Sequence, residues 1–467
     1  MKGVHARPAS VVCRRAKDKT VYQCQNSSNN AYLYSRSANN NNKNNSNAVE
    51  PFKISIIKGH IVMQVTCMLT LEDVEEAFFD CNKQKRNKDA AVEYYKDYEA
   101  NNFQLWLDLR NMTYRIGKSI AFCVIYPTLR EVMAAEYRDR IVHHILALKF
   151  EPFFERMMID TSFGCRKGKG TLLGVTTAYR QMQEVSNGFT EDAWVLKCDI
   201  KSYYMSIDRQ ILMEMVERVV VDDYGGEDAD WWLWLWRKII FHRPELDCEI
   251  HGDPRLFKML EKGKSMFGTD GTKCLPIGHH TSRLLANVYL CFFDKYIMRL
   301  VLAGNGAYGR YMDDWYVICK RKEDALKCLE KAREYLRVNL RLELHPKKIY
   351  LQHVSKGFAF VGAVIKPHRI YIRKRTYQMA LKKVRQHNKG QATDEELCMS
   401  LNSYFGLMRH YNTYALRWML WKNIENKERL CSVRMNKLIV INAKRHNDNN
   451  RQQEAAPAQR SDTRLHN

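Results

Sequence analysis

Apolar residues fall into three regimes along the chain. Up to about residue 50 they carry no sustained period, and the tract NNNNKNNSN from Asn39 to Asn47 cannot bury enough apolar surface to offset the entropy of ordering. Near Met68 the character changes: Leu71, Val74 and Phe78 recur at helical spacing behind Thr70, an N-cap residue with Asp73 three positions on. A natural start at Met68 accounts for that change. Further helical patterns cover residues 87–109, 137–149 and 210–219, and strand patterns cover 194–200, 311–320 and 370–373. After residue 440 the chain is polar again. No period repeats, so the pattern predicts an α+β fold between about 68 and 440, with disordered segments over 1–67 and 441–467. Trp231, Trp232, Trp234 and Trp236 could stack bases, but at helical spacing they read first as core packing.

Charge narrows the partner. Lys and Arg number 75 against 52 Asp and Glu, a net +23 on a chain that is 45% apolar. Such an excess favours a polyanion, nucleic acid before a membrane surface, because neutralised phosphates release condensed counterions. No apolar run approaches the ~18 residues of a spanning helix, and Met1 to Arg15 lacks the apolar centre of a secretory signal, so a soluble, cytoplasmic protein is expected. The 14 cysteines include no C-x-x-C pair, which argues for buried thiols over zinc or disulfides.

The sharpest chemical feature is Tyr311-Met312-Asp313-Asp314-Trp315, an acidic pair at the turn between two strand-like flanks. A bare Asp-Asp is usually a solvated turn. Here a second β-rich run, Val195 to Ile200, also ends in a carboxylate, Asp199, followed by Tyr203-Tyr204. Carboxylates on neighbouring strands can share two hard cations about 3.5 to 4 Å apart, which is equipment for in-line nucleotidyl transfer. Upstream, Phe163 to Thr171 reads FGCRKGKGT; its glycines permit close backbone approach, and Arg166, Lys167 and Lys169 offer charge to a triphosphate. The adjacent His143 and His144 lie about 100° apart on a helix and read as structural.

Taken in order, these motifs resemble the reverse transcriptases over residues 115 to 420. Arg138 to His144 resembles a fingers helix and Phe163 to Thr171 the fingers motif; Asp199 with Tyr203-Tyr204 resembles the first palm motif and Tyr311-Met312-Asp313-Asp314 the YxDD motif. Leu275 to Arg283 (LPIGHHTSR) resembles the segment beside the incoming nucleotide, Leu344 to Lys348 the lysine-bearing palm segment, and Gly357 to Gly362 the primer-grip hairpin. The resemblance implies a right-hand polymerase, with N-terminal helices and fingers over 68–190, palm over 191–370 and helical thumb over 371–440. It implies catalysis by Asp199, Asp313 and Asp314 with two Mg²⁺ ions, the Ile200 carbonyl as a further ligand, and substrate contacts from Arg166, Lys167, Lys169, Tyr204, Ile277, Gly278, Ser282 and Lys348. Tyr204 stands where the family places a bulky gate against the ribose 2′-OH. The implied partners are an RNA template, a DNA or RNA primer and dNTPs.

Most reverse transcriptases place Gln where this chain has Ile277. That form, together with CRKGKGT and the thumb-like run Leu401 to His410, most resembles the enzymes of diversity-generating retroelements. That subfamily usually reads SQ at Ser282-Arg283. This resemblance implies error-prone copying of a template-repeat RNA and a small basic accessory protein. A phage-defence or other bacterial retroelement enzyme is the alternative, and a non-catalytic RNA-binding scaffold a third, opposed by the intact carboxylates. Nothing after residue 440 is long enough for a nuclease module.

Overall fold

The computed structural model describes residues 66–83, 86–126 and 128–440, together with the backbone of five short strands between Val11 and Val62. Those strands pair as a three-stranded sheet and a two-stranded hairpin. The rest of the expected disordered extension, and the expected tail after residue 440, lie outside the described residues.

The N-terminal helix Leu71–Asn82 starts where its cap predicts: Thr70 Oγ1 accepts from the Asp73 N–H at 3.2 Å and the Asp73 carboxylate accepts from the Thr70 N–H at 2.9 Å. The periodic stretch 87–109 is two helices, Asp89–Lys96 and Tyr98–Arg110, separated at Asp97. The fingers helix Tyr137–Met157 runs past the expected end at residue 149 and carries Pro152 inside it. Beside it stand the strands Ser119–Val124 and Arg130–Ala134, with Cys248–Ile250 added parallel to the first.

Four antiparallel strands form the palm sheet in the order Ala307–Tyr311, Asp314–Cys319, Trp194–Asp199 and Tyr350–His353. Helices His280–Tyr289, Cys291–Leu302 and Lys322–Leu340 contribute Leu285, Ile297 and Leu336 to a core continuous with the sheet and the N-terminal helices. The tryptophan helix Ala229–Ile240 belongs to the same core: Trp231, Trp232 and Trp236 are buried, as the packing reading expects. Helices Lys374–Asn388, Asp394–Met408 and Tyr414–Lys422 and a terminal hairpin enclose a separate core over the C-terminal part. No helix of the described residues is long and apolar enough to cross a membrane.

At the centre, Arg310 and Asp294 form an ion pair with both side chains 0% exposed. Arg310 Nε and Nη2 donate to the two Asp294 oxygens at 2.7 and 2.6 Å, and Nη1 donates to Asn287 Oδ1 and to the Met312 carbonyl, each at 3.0 Å. Tyr308 Oη donates to Asp294 at 2.6 Å, so the buried acid is met from several sides. Removing one partner strands the other charge. Asp294→Asn should therefore lose about 3–5 kcal/mol of stability in urea titrations. Asp294→Leu combined with Arg310→Met should recover part of that loss; a double variant as unstable as the single one would show that the pair itself is not what matters.

Candidate functional site

The acidic turn is built by the hairpin that the sequence predicts. Tyr311 pairs with Asp314 across it, and Met312 takes the left-handed conformation at φ 57°. Asp314 lies directly opposite Asp199 on the neighbouring strand, so these two side chains share one face of the sheet. Asp313 sits at the turn itself, its carbonyl accepting from the Ile200 N–H at 3.2 Å. Burial, and then repulsion from Asp199, push the Asp313 carboxyl up to about 6. Burial also raises Asp314, opposed by Lys197, whose Nζ lies 2.5 Å from Asp314 Oδ1. Lys348 Nζ lies 2.9 Å from Asp199 Oδ1. Each of the two sheet-face carboxylates thus holds a lysine.

Among the described residues no three His, Cys, Asp or Glu side chains are arranged as a metal cluster. Asp199 and Asp313 oppose one another, while Asp314 is occupied by Lys197. This donor set still fits hard divalent cations: its groups are carboxylate oxygens, and the repulsion that raises Asp313 is what a cation beside Asp199 would relieve.

The site opens into a cleft of ≈ 1330 Å³ whose walls include Asp313, Tyr204, Ile277, Gly278 and Ser282. Five residues singled out from the sequence therefore meet in one cavity. Gly278 has φ 124°, and a Cβ there would stand 2.4 Å from the Met133 carbonyl. The Met133 N–H donates to the Ile277 carbonyl at 2.8 Å, so this segment is pinned against the strand Arg130–Ala134. Ile277 is half-buried in the cleft wall.

The fingers-loop cations are placed differently from the expectation. Arg166 Nε lies 3.0 Å from both Glu155 oxygens, and its Nη1 donates to the Ile159 and Ser162 carbonyls at 2.6 and 2.7 Å. With a side chain only 5% exposed, it clamps the loop to the fingers helix and is not presented to the cleft. Lys169 reaches the Asp160 carbonyl at 3.2 Å. Lys167 is exposed, outside the cleft wall, and has no ion-pair partner among the described residues. Of the loop's glycines only Gly164 is closely packed: a Cβ there would lie 2.7 Å from Met312 of the acidic turn, whereas at Gly168 and Gly170 nothing stands within 4 Å.

Sequence reasoning missed cations that do line the cleft: Arg130, Arg140 and Arg283. For Arg130 the strand-and-turn pattern over 119–134 was the available signal, for Arg140 its place in the string Arg138 to His144, and for Arg283 the departure from SQ. His143 and His144 pack against the second histidine pair, although His144, His279 and His280 also line the cleft. His143 Nδ1 lies 2.8 Å from Thr281 Oγ1 and its ring packs on His279, while His144 stacks on His280.

A family model described as reverse transcriptase (RNA-dependent DNA polymerase) matches residues 127–365, about half of the chain and all of the site just described. The chain belongs to the reverse transcriptase family. Among curated proteins it is 27% identical over 278 residues to Protein YkfC of Escherichia coli, covering 53% of this chain and 64% of that protein. It is also 27% identical over 97 residues to Nuclear intron maturase 1, mitochondrial, of Arabidopsis thaliana, covering 20% and 13%. The chain thus spans less than two thirds of either relative. Similar solved structures include apo telomerase from Candida tropicalis, at 10% identity and TM-score 0.40 over 66% of this chain and 58% of that one. Telomerase from Candida albicans in complex with a fragment of telomeric RNA aligns at 10% identity and TM-score 0.39 over 67% and 56%.

The raised Asp313 carboxyl fixes a pH dependence for this reverse transcriptase. In the folded chain it titrates near 6, in the unfolded chain near ~3.9, so the fold favours the protonated acid. Its stabilising share is full below about pH 4 and is lost as pH rises through 6. In buffer free of divalent cations, wild type should lose up to about 3 kcal/mol between pH 4 and 7 relative to Asp313→Asn. Parallel pH curves of denaturation midpoint for the two proteins would contradict this.

Proposed function

We propose that this chain is an RNA-directed DNA polymerase that extends a DNA or RNA primer on an RNA template with dNTPs. One observation carries the reading: Asp313, buried and in repulsion with Asp199, lines a cleft that also contains Tyr204, Ile277, Gly278 and Ser282. Two Mg²⁺ ions would be held by Asp199, Asp313 and the Ile200 carbonyl, with Asp314 joining if Lys197 releases it. When bound, they supply Lewis acidity that lowers the pKa of a primer 3′-hydroxyl and neutralises charge on the triphosphate.

The chain's own residues do the rest. Lys348 offsets the charge of Asp199 and remains close enough to meet substrate phosphate. Tyr204, an aromatic ring in the cleft wall, fills the space a 2′-hydroxyl needs and offers it no carboxylate acceptor, so the product is DNA. Asp313→Asn should abolish dNTP incorporation on a primed RNA while leaving RNA affinity nearly intact, because affinity comes from distributed phosphate contacts. Retained polymerisation would sink the assignment. Tyr204→Ala should raise ribonucleotide incorporation relative to deoxyribonucleotide, and an unchanged ratio would remove the gate.

Within that activity we favour the error-prone type found in diversity-generating retroelements, acting in the cytoplasm on a template-repeat RNA with a small basic accessory protein. Ile277 supports this. An apolar wall beside the nascent pair discriminates by packing, worth only ~1–3 kcal/mol, where glutamine could add polar recognition. Ile277→Gln should lower the substitution frequency in sequenced cDNA, chiefly at template adenines. Equal error spectra would favour a phage-defence or other bacterial retroelement role.

A further inference from the structure

We propose that Arg283 is a phosphate-binding residue of the cleft, supplying the charge that the loop clamp Arg166 cannot deliver there. The inference deepens the polymerase reading and rests on it. Arg283 lies in the first turn of the helix His280–Tyr289, is exposed, and lines the cleft together with Tyr204 and Asp313. It is close enough to Tyr204 for its charge to act on the phenol.

Its direction is set by a chain of side chains. Arg283 Nη2 lies 2.9 Å from His280 Nδ1; the His280 ring stacks on His144 at 4.1 Å and 18°; and His144 Nδ1 lies 2.8 Å from Asp80 Oδ2 on the N-terminal helix. That anchor uses one edge of the guanidinium and leaves a planar fork of donors for a phosphate. The helix start adds to the case. No side chain caps it, so its first N–H groups and the positive end of its dipole are available to an anion. His279, only 5% exposed, lines the same cleft, and its Nε2 has no partner among the described residues. Arg140 lines the cleft too, but its Nε is spent on the Ala135 carbonyl at 2.8 Å.

The phosphate could belong to the incoming nucleotide or to the template strand, and the same full-length proteins separate the two. Wild type, Arg283→Gln and Arg283→Lys are assayed with dTTP on primed poly(rA), and their affinity for the primer–template is measured by fluorescence anisotropy across a salt series without dTTP. If the nucleotide is the ligand, Arg283→Gln raises the KM for dTTP about tenfold or more, with kcat changed less than threefold. If the template is the ligand, KM holds, primer–template Kd rises and the slope of log affinity against log salt falls by about one. In either arm Arg283→Lys recovers part of the loss. Arg166→Gln, by contrast, should lower the melting temperature. KM, Kd and salt slope all within twofold of wild type in Arg283→Gln would overturn the proposal. A wild type that binds primer–template but incorporates nothing would sink the polymerase reading instead, and the salt series would still decide whether Arg283 meets a phosphate.

Discussion

The geometry of the site depends on one buried ion pair. Asp294 belongs to the helix Cys291–Leu302 and Arg310 to the strand that leads into the acidic turn. The pair locks a helix of the palm to the strand whose end positions Asp313. From the same guanidinium a bond reaches the Met312 carbonyl, and another reaches Asn287, whose Nδ2 donates to the Gly164 carbonyl at 2.7 Å. The backbone of Arg310 closes the circuit: its N–H donates to the Thr161 carbonyl at 2.9 Å and its carbonyl accepts from Phe163 at 2.8 Å. A single desolvated charge thereby fixes turn, fingers loop and helix relative to one another. A buried pair adds little net stability against an apolar alternative, so what it contributes here is position.

Around that scaffold the carboxylates are left in mutual conflict. Asp313 is destabilised as an anion by its own burial and by Asp199, while Lys348 and Lys197 compensate Asp199 and Asp314. Unlike the Arg310 pair, neither lysine contact is fully desolvated: the Lys197 and Lys348 side chains are 12% and 49% exposed. The contrast is one of solvation: the pair that sets geometry is fully buried, while both carboxylate–lysine pairs keep some contact with solvent.

Much of this was legible in the sequence, and the reason is periodicity. The capping box at Thr70, the hairpin around Asp313-Asp314, the Asp199 strand and the packed tryptophans each follow from local spacing and turn chemistry. What escaped was side-chain partnership across long sequence separations. Arg166 looks like a substrate ligand in the string CRKGKGT, because nothing local reveals that Glu155 and two carbonyls consume it. Asp294 carries no motif at all; only the fold brings it to Arg310. Likewise the break at Asp97 is invisible to a pattern that continues in phase on both sides.

Two glycines explain how the cleft keeps its shape once these charges are placed. At Gly278 the backbone of the LPIG segment touches the carbonyl of Met133, and at Gly164 the fingers loop touches Met312 in the acidic turn. Neither contact tolerates a Cβ, since the Met133 carbonyl oxygen would lie 2.4 Å from one and the Met312 backbone nitrogen 2.8 Å from the other. One glycine sets the distance from the LPIG segment to the strand Arg130–Ala134; the other sets the distance from the loop 163–171 to the acidic turn. Ile277 is held beside Gly278 by its carbonyl bond to Met133, which places its half-buried side chain in the cleft wall.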